Sequence, residues 1–248
     1  MTAASPPTSG FSAFSLEPFP EFQPGDDLAG TITEVLSRTG TELLDGDVVV
    51  VASKIVSIAE KRYVDLADVT PSAEAVELSA RTGKPAAVVQ LILDHSTEHF
   101  LATERGPIIA RHTLGHQLTS AGIDRAGTEG AWLLPEDPDA SARALRDALS
   151  TQAGVKIAVV IADSDGRADR RGATCISIGA AGVAPLRLTE HDGKRQEETL
   201  TDMIAAAAGI ILGQRGRGVP VAILRGVSYT PSDAGVAAML HHAPAPAQ

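Results

Sequence analysis

The hydrophobic pattern of the chain is dominated by apolar runs that are rich in β-branched residues. Residues 46–56 and 155–162 each predict a buried strand, because near-continuous runs of this kind are typical of strands covered on both faces. A third run, at 219–227, predicts a closing strand. The pattern therefore indicates a largely buried sheet.

Several other segments have the features of helices. Proline stands near the first turn of two of them, where it is favourable, and Leu145 and Leu149 are spaced to share one face of another. The predicted helices are 27–37, 71–82, 85–93, 139–152 and 197–212. Because strands and helices do not alternate regularly, we expect an α+β fold, or an irregular α/β fold, with a mixed sheet.

Length and composition set the domain organisation. With 248 residues, the chain can bury a full core as one large domain or as two intimately packed ones. Residues 1–15 and 241–248 are rich in Pro, Ala and small polar residues, so we expect disordered tails around a catalytic region at 16–240.

Charge and residue usage exclude several classes of protein. The net charge of −10 argues against non-specific binding of nucleic acid. Cys175 is the only cysteine, which excludes an intramolecular disulfide and a thiolate metal cage. We see no run long enough to span a membrane and no signal peptide, so a cytoplasmic location is expected.

The most informative polar stretch is DSDGRADRRG at 163–172, directly after the second apolar run. A strand that ends here places carboxylates at its carboxyl end, where open α/β sheets hold ligands. Three aspartates and three arginines suit a divalent cation and the phosphates that accompany it. The alternative is a solvated turn, for which Ser-Asp-Gly is suitable.

Other motifs give weaker signals. The glycine-rich segment 213–218 follows a predicted helix and precedes a strand, which is the reverse of a phosphate-binding loop, although Arg215 and Arg217 could contact phosphates in another geometry. A calcium loop beginning at Asp163 fails because Arg167 and Thr174 stand at ligand positions. His112 and His116 have the spacing of a zinc pair, but packing is the expected role.

A rival interpretation of the acidic segment is a haloacid dehalogenase-type phosphatase. The run Asp163-x-Asp165 after an apolar strand resembles the first motif of that family, with Asp163 as nucleophile and Asp165 as acid/base. In that family the motif usually opens the catalytic domain, whereas here it lies late in the chain. No later strand ends in a paired-acid motif.

Several separate segments form an ordered pattern along nearly the whole chain. They are 20–28, 47–57 with Ala59 and Glu60, 70–72, 121–124, 134–141, 163–167, 170–172 and 219–226. In order and spacing, this set resembles the family of coenzyme F420-0:L-glutamate ligases, also called F420-0:gamma-glutamyl ligases. No single segment is decisive, but the ordered set is specific.

The resemblance implies an amide-forming acid–amino-acid ligase. It would join L-glutamate to the carboxylate of F420-0 through an acyl phosphate, using GTP or ATP and two divalent ions, Mg²⁺ or Mn²⁺. The implied fold has two interwoven α+β domains with a mixed sheet, and the implied assembly is a homodimer. A relative with an altered acceptor or amine remains an alternative. So does a catalytically weak paralogue that binds a phosphorylated ligand or a partner chain.

Matching the family's motifs assigns site residues by resemblance. Asp124 and Asp163 fall on metal-binding, catalytic aspartates, and Ser164 and Gln214 on further metal positions. The nucleotide-binding positions are Phe19, Pro20, Glu21, Phe22, Ser53, Lys54, Gly213 and Arg215. For substrate and phosphate contacts we expect Arg167, Arg170 and Arg171.

The chain also departs from the family pattern. Ile58 stands where the family usually has a nucleotide-binding lysine, and Lys61 lies three residues further on. Gly127 replaces an asparagine that usually follows the first metal-binding aspartate. Loss of one charged contact to phosphate is expected to weaken nucleotide binding by about 1.5–3 kcal/mol in a dry site.

Overall fold

The computed structural model describes residues 10–213 and 218–241. Within these residues the chain forms six α-helices and thirteen strands. The helices are α1 (Leu28–Thr39), α2 (Ser53–Ala59), α3 (Ala73–Thr82), α4 (Ala86–Asp94), α5 (Pro138–Ala153) and α6 (Leu200–Leu212). The strands are β1 (Ser12–Ser15), β2 (Val48–Ala52), β3 (Tyr63–Asp65), β4 (Ser96–Leu101), β5 (Ile108–His112), β6 (Gln117–Thr119), β7 (Asp124–Ala126), β8 (Gly130–Trp132), β9 (Ala158–Gly166), β10 (Ala173–Ala181), β11 (Leu186–His191), β12 (Lys194–Thr199) and β13 (Val221–Arg225). The fold class is α+β with mixed sheets, as the sequence predicts.

A five-stranded sheet forms the centre of the molecule, in the order β1-β13-β2-β9-β10. Its two middle strands, β2 and β9, are parallel, and every other neighbouring pair is antiparallel. Alternate residues of β2 enter different cores, Val49 and Val51 on one face and Val48 and Val50 on the other. Burial on both faces explains why this strand is a continuous apolar run.

Helices cover both faces of the central sheet. Helices α1 and α5 pack on one face and α6 packs on the other. The side chains of Asp27 and Asp137 cap the first turns of α1 and α5, and Gly40 and Gly154 end these helices in left-handed backbone. Asp and Gly at these positions therefore fix where the two helices begin and end.

A second unit is inserted between α2 and α5. It contains α3, α4 and two three-stranded sheets, β3-β8-β7 and β4-β5-β6. It has its own core, in which Val89, Ile92, Ile108 and Ala131 are fully buried or nearly so. The chain thus leaves the central sheet after α2 and returns to it with α5. The hairpin of β11 and β12 forms a separate, exposed two-stranded sheet.

The predicted strand at 46–56 is wrong in its second half. Only Val48–Ala52 is strand, and Ser53–Ala59 is helix α2. The Ser57 hydroxyl donates to the Ser53 carbonyl oxygen one turn earlier, while Ile55 and Val56 enter the core beside α1. Burial of these β-branched side chains outweighs their preference for strands.

The other predicted elements exist with changed boundaries. The helices at 27–37, 71–82, 85–93 and 139–152 correspond to α1, α3, α4 and α5. The strand at 155–162 is β9, which begins later and continues through the acidic residues to Gly166. The helix at 197–212 begins only at Leu200, since its first residues pair in the exposed hairpin.

The predictions for the two end regions are also corrected in part. Within the expected tail at 1–15, Ser12–Ser15 forms the edge strand β1, which pairs with β13. The closing strand predicted at 219–227 is Val221–Arg225. In the part of the chain that the structure describes, no helix has the length and apolar character needed to cross a bilayer.

Candidate active site

The site lies where the parallel pairing of β2 with β9 ends. Ala52 of β2 is in register with Ala162 of β9, so the next residues, Ser53 and Asp163, are neighbours. The Ser53 hydroxyl donates a 2.6 Å hydrogen bond to Oδ1 of Asp163. The carboxyl ends of parallel strands are the usual place for ligands in sheets of this kind.

The environment of Asp163 disfavours its negative charge. Burial raises the pKa of its carboxyl to about 7, and the nearby carboxylates of Asp124 and Asp165 act in the same direction. Hydrogen bonds from Ser53 and from the backbone N–H of Ser164 act the opposite way. A carboxylate with this surrounding is stabilised by a cation placed between it and its acidic neighbour.

The second carboxylate comes from the inserted unit. Asp124 begins β7, directly after a tight turn in which Ser120 and Ala121 have left-handed backbone. Ala121 and Ile123 are buried in the core of the inserted unit, which fixes the position of this turn. Lys54 Nζ lies 3.8 Å from Oδ2 of Asp124. Both side chains are about two-fifths exposed, 44% and 38%, so this ion pair contributes little to stability.

A cavity of about 420 Å³ joins these groups. Its lining combines a polar end around the two aspartates with an apolar wall that includes Phe19, Phe22 and Ile58. The lining residues named by the sequence analysis are Phe19, Pro20, Glu21, Phe22, Ser53, Lys54, Asp124, Asp163, Ser164 and Gly213. Positions from five separate stretches of the chain are thus brought together.

The donor set suits a divalent ion of the magnesium type. Asp124, Asp163 and Ser164 offer hard oxygen atoms at one end of the cavity. Across residues 10–213 and 218–241 there is no cluster of three or more His, Cys, Asp or Glu side chains that could hold a metal. Two carboxylates and a hydroxyl match an ion that takes its remaining ligands from phosphates and water.

Some predicted site residues lie elsewhere. Arg167, Arg170 and Arg171 are exposed in the connection between β9 and β10 and do not line the cavity. Gln214 and Arg215 lie outside the described residues. The roles predicted for these five residues stay predictions.

The two departures from the family pattern differ in position. Ile58 lines the cavity, whereas Gly127 is in the turn between β7 and β8 and does not. Lys61 does not replace the missing charge in the cavity, because its side chain packs over the backbone of Gly25.

Asp165 has a structural contact that the sequence did not reveal. It accepts a 2.8 Å hydrogen bond from the backbone N–H of Thr119, and the Thr119 hydroxyl donates to the Gly166 carbonyl oxygen at 2.8 Å. A side chain at Gly166 would lie 2.7 Å from that hydroxyl, so the close approach requires glycine. These contacts join β9 to β6, just ahead of the turn that carries Asp124. Thr119 therefore helps to place the second carboxylate.

Cys175 lies behind Ser164 on the neighbouring strand. The two residues face each other across β9 and β10, and burial raises the pKa of the Cys175 thiol, partly offset by its hydrogen bond with Ser164. A side chain at Gly209 of α6 would lie 2.7 Å from Sγ, so the thiol is closely packed. Cys175 thus supports Ser164 from within the core.

The two histidines with zinc-like spacing have packing roles. His112 and His116 are both buried, and the His112 ring stacks on His95 with centroids 5.8 Å apart. Burial, together with the neighbouring His95, His116 and Arg62, lowers the pKa of His112 to about 4.

Comparison with known proteins identifies the family. The family model of F420-0:gamma-glutamyl ligase matches residues 18–226. The chain belongs to the F420-0:gamma-glutamyl ligase family. It is 37% identical over 242 residues to the coenzyme F420:L-glutamate ligase of Methanothermobacter thermautotrophicus, covering 93% of this chain and 96% of the relative. Similar relatives are the coenzyme F420:L-glutamate ligases of Archaeoglobus fulgidus, at 38% over 224 residues with 87% of each chain covered, and Haloarcula marismortui, at 37% over 231 residues with 87% of each covered.

Family membership decides between the interpretations of the acidic segment. Asp163 and Asp165 belong to a ligase of this family and not to a haloacid dehalogenase-type phosphatase. The matched region contains the described lining of the cavity, from Phe19 to Pro220. The chain is therefore a member of a ligase family whose shared region includes the whole candidate site described here.

Proposed function

We propose that this protein joins L-glutamate to the carboxylate of F420-0 through an amide bond, driven by GTP and dependent on two divalent cations. The observation that carries the proposal is the meeting of Asp163, Ser53 and Lys54 with Asp124 in one cavity. The relatives are named as ligases of coenzyme F420 and L-glutamate, which supports the same acceptor and amine here.

The reaction needs activation because a carboxylate is a poor electrophile. Phosphoryl transfer from GTP to the F420-0 carboxylate gives an acyl phosphate and GDP. The glutamate amine then attacks the carbonyl carbon, phosphate leaves with the electron pair of the C–O bond, and the amine loses a proton. A divalent ion would neutralise charge on the triphosphate and on the transferring phosphoryl group.

Different residues of the chain would bind the cation, the phosphates and the base. Asp124, Asp163 and Ser164 would hold the cation, and Ser53 fixes the Asp163 carboxylate through its hydrogen bond. Lys54 supplies a positive charge beside the same site, where the resemblance places nucleotide. Phe19 and Phe22 offer an apolar wall for the base. A homodimer and a cytoplasmic location are part of this proposal.

The test is a turnover assay with purified protein, F420-0, L-glutamate, Mn²⁺ or Mg²⁺ and either GTP or ATP. We expect a product heavier by one glutamyl residue, with one phosphate released per amide bond formed, and no product without metal. Asp192→Asn, at the exposed tip of the β11–β12 hairpin, is the matched control for substitutions of the cavity aspartates and should keep full activity.

Failure of the assay would have one of two explanations, which binding measurements separate. If the folded protein binds GTP and metal but forms no product with F420-0, the acceptor differs. If it binds neither GTP nor ATP, the departures from the family pattern, of which Ile58 lines the cavity, become the explanation to test, and a catalytically weak paralogue becomes the better description. Calorimetric titration with each nucleotide, with and without Mn²⁺, separates these outcomes.

A further inference from the structure

One face of the β3-β8-β7 sheet carries a row of two aromatic side chains and one carboxylate. Tyr63 pairs with Trp132, and Trp132 pairs with Asp124 on its other side. Directly opposed residues point to the same face of a sheet, so these three side chains lie side by side. The intervening row, with Val64 and Ala131, faces the core of the inserted unit. The aromatic row therefore faces away from that core.

The two aromatic rings form an ordered but accessible surface. Their centroids are 5.3 Å apart and their planes meet at 68°, which is an edge-to-face contact. Tyr63 is 45% exposed and Trp132 is half-buried. A side chain at Gly130 would lie within 2.3 Å of atoms of the Tyr63 ring, so glycine lets this ring lie directly on the strand. Trp132 is the only tryptophan of a chain that has only two tyrosines.

The row leads directly into the candidate active site. Asp124, at its end, lines the cavity. Tyr63 lies two strands away, which corresponds to about 10 Å at the usual strand spacing. Tyr63 and Trp132 lie beside the cavity and not in its lining, whose aromatic residues, Phe19 and Phe22, come from a different segment and are proposed to contact the nucleotide. A second aromatic surface beside the reacting groups is thus available for the other large substrate.

We propose that Tyr63 and Trp132 bind the planar aromatic ring system of the acceptor while its carboxylate lies at Asp124 and Asp163. This inference rests on the proposed ligase function. F420-0 has the required chemistry, since its chromophore is a planar fused ring joined by a flexible chain to the carboxylate. Such rings stack on indole and phenol faces, with a gain that mutation detects as about tenfold or more in affinity.

The first test uses steady-state kinetics of the full-length protein. In Tyr63→Leu and Trp132→Leu, we expect the KM for F420-0 to rise about tenfold, while kcat and the KM for GTP stay within about twofold of wild type. Tyr63→Phe keeps the ring and should behave as wild type. Phe100→Leu is the matched control, because Phe100 is 50% exposed on β4 of the same inserted unit but outside the row.

The second test needs no variant. Because Trp132 is the only tryptophan, the intrinsic tryptophan fluorescence of the wild type reports on this surface alone. Saturation with F420-0 should quench it, with the same midpoint as binding measured by calorimetry, and Tyr63→Leu should shift that midpoint about tenfold upward.

The outcomes distinguish this inference from the proposed function. Active wild-type enzyme with an unchanged KM for F420-0 in both leucine variants would refute the aromatic surface and leave the ligase intact. Bound F420-0 without any quenching would place the ring elsewhere. A wild-type protein that binds F420-0 but forms no amide would instead refute the proposed reaction.

Discussion

The two aspartates that meet in the cavity come from parts of the molecule that are packed very differently. Asp163 lies within β9, directly after the buried run at 158–162, and is held by a 2.6 Å hydrogen bond from Ser53. Asp124 begins a three-residue strand of the inserted unit and keeps 38% of its side chain exposed, with Lys54 at 3.8 Å. The central sheet fixes one carboxylate through register, whereas the inserted unit presents the other on an accessible face. The first carboxylate is therefore held within the core, whereas the second lies on a surface that solvent can reach.

The largest effect is expected from Asp163→Asn, which removes the carboxylate that the central sheet supplies. We expect at least about a thousandfold loss of ligase turnover, because the loss of a cation's charge stabilisation costs several kcal/mol. The melting temperature without metal should not fall, since burial already disfavours the charge at this position. A variant that keeps a tenth of wild-type turnover would contradict the central place given to this carboxylate. Stability is followed by thermal unfolding monitored by circular dichroism.

Acid should affect the inserted unit through His112. Its pKa is about 4 in the folded protein and about 6.5 in the unfolded chain, so the unfolded state binds more protons between these values. The contribution of His112 to stability is therefore complete above about pH 6.5 and is lost as the pH falls towards 4, which amounts to about 2 kcal/mol between pH 7.5 and pH 5. Asp163 opposes it, because its pKa of about 7 lets the folded state bind an extra proton in the same range, so the His112 contribution is measured by urea unfolding of a variant without the imidazole. His95 and His116, whose pKa values are also lowered, add in the same direction as His112.

The matched variant for this pH effect is His112→Asn. The asparagine amide oxygen can accept the backbone hydrogen bond that Leu114 donates to Nδ1 of His112, but it does not titrate. Relative to wild type, the variant should gain about 2 kcal/mol of unfolding free energy at pH 5 compared with pH 7.5. An unchanged difference would assign the acid sensitivity to other groups.

The contact between the two units should have the smallest effect of the three. Asp165→Ala removes the acceptor of the Thr119 backbone N–H, and we expect about 1–2 kcal/mol of lost stability in urea unfolding. Affinity for Mn²⁺ should also fall, because the turn that carries Asp124 loses an anchor. If stability falls and Mn²⁺ affinity does not, the contact serves folding alone. Asp192→Asn serves again as the exposed control.

The sequence predicted the central sheet better than the inserted unit, for physical reasons. The apolar runs at β2 and β9 can be recognised in the sequence as strands because both faces of these strands are buried. The three-residue strands that carry Tyr63, Asp124 and Trp132 are too short to show a period, and the pairing of β3 with β8 is long-range. Asp163 could be singled out from its local segment, whereas Asp124 emerged only through the family resemblance.

The errors have the same origin. The strand predicted through Val56 became helix α2 because β-branched residues there pack into a core that local propensity does not encode. The aromatic row was missed because its members are separated in sequence and meet only through strand register. The hydrogen bond from Thr119 to Asp165 was also missed, because it depends on a fold that no local pattern predicts.

The parallel pairing of β2 with β9 also has a consequence for biosynthesis. The hydrogen bond between Ser53 and Asp163 closes a chain segment of 110 residues, so it forms late compared with local contacts. On its other side, β2 pairs with β13, which is synthesised only after β9 and α6. Until β13 is available, β2 has an open hydrogen-bonding edge that favours aggregation. A chain truncated before Val221 should therefore be prone to aggregate, and nascent chains stalled at that length are where a chaperone would be needed most.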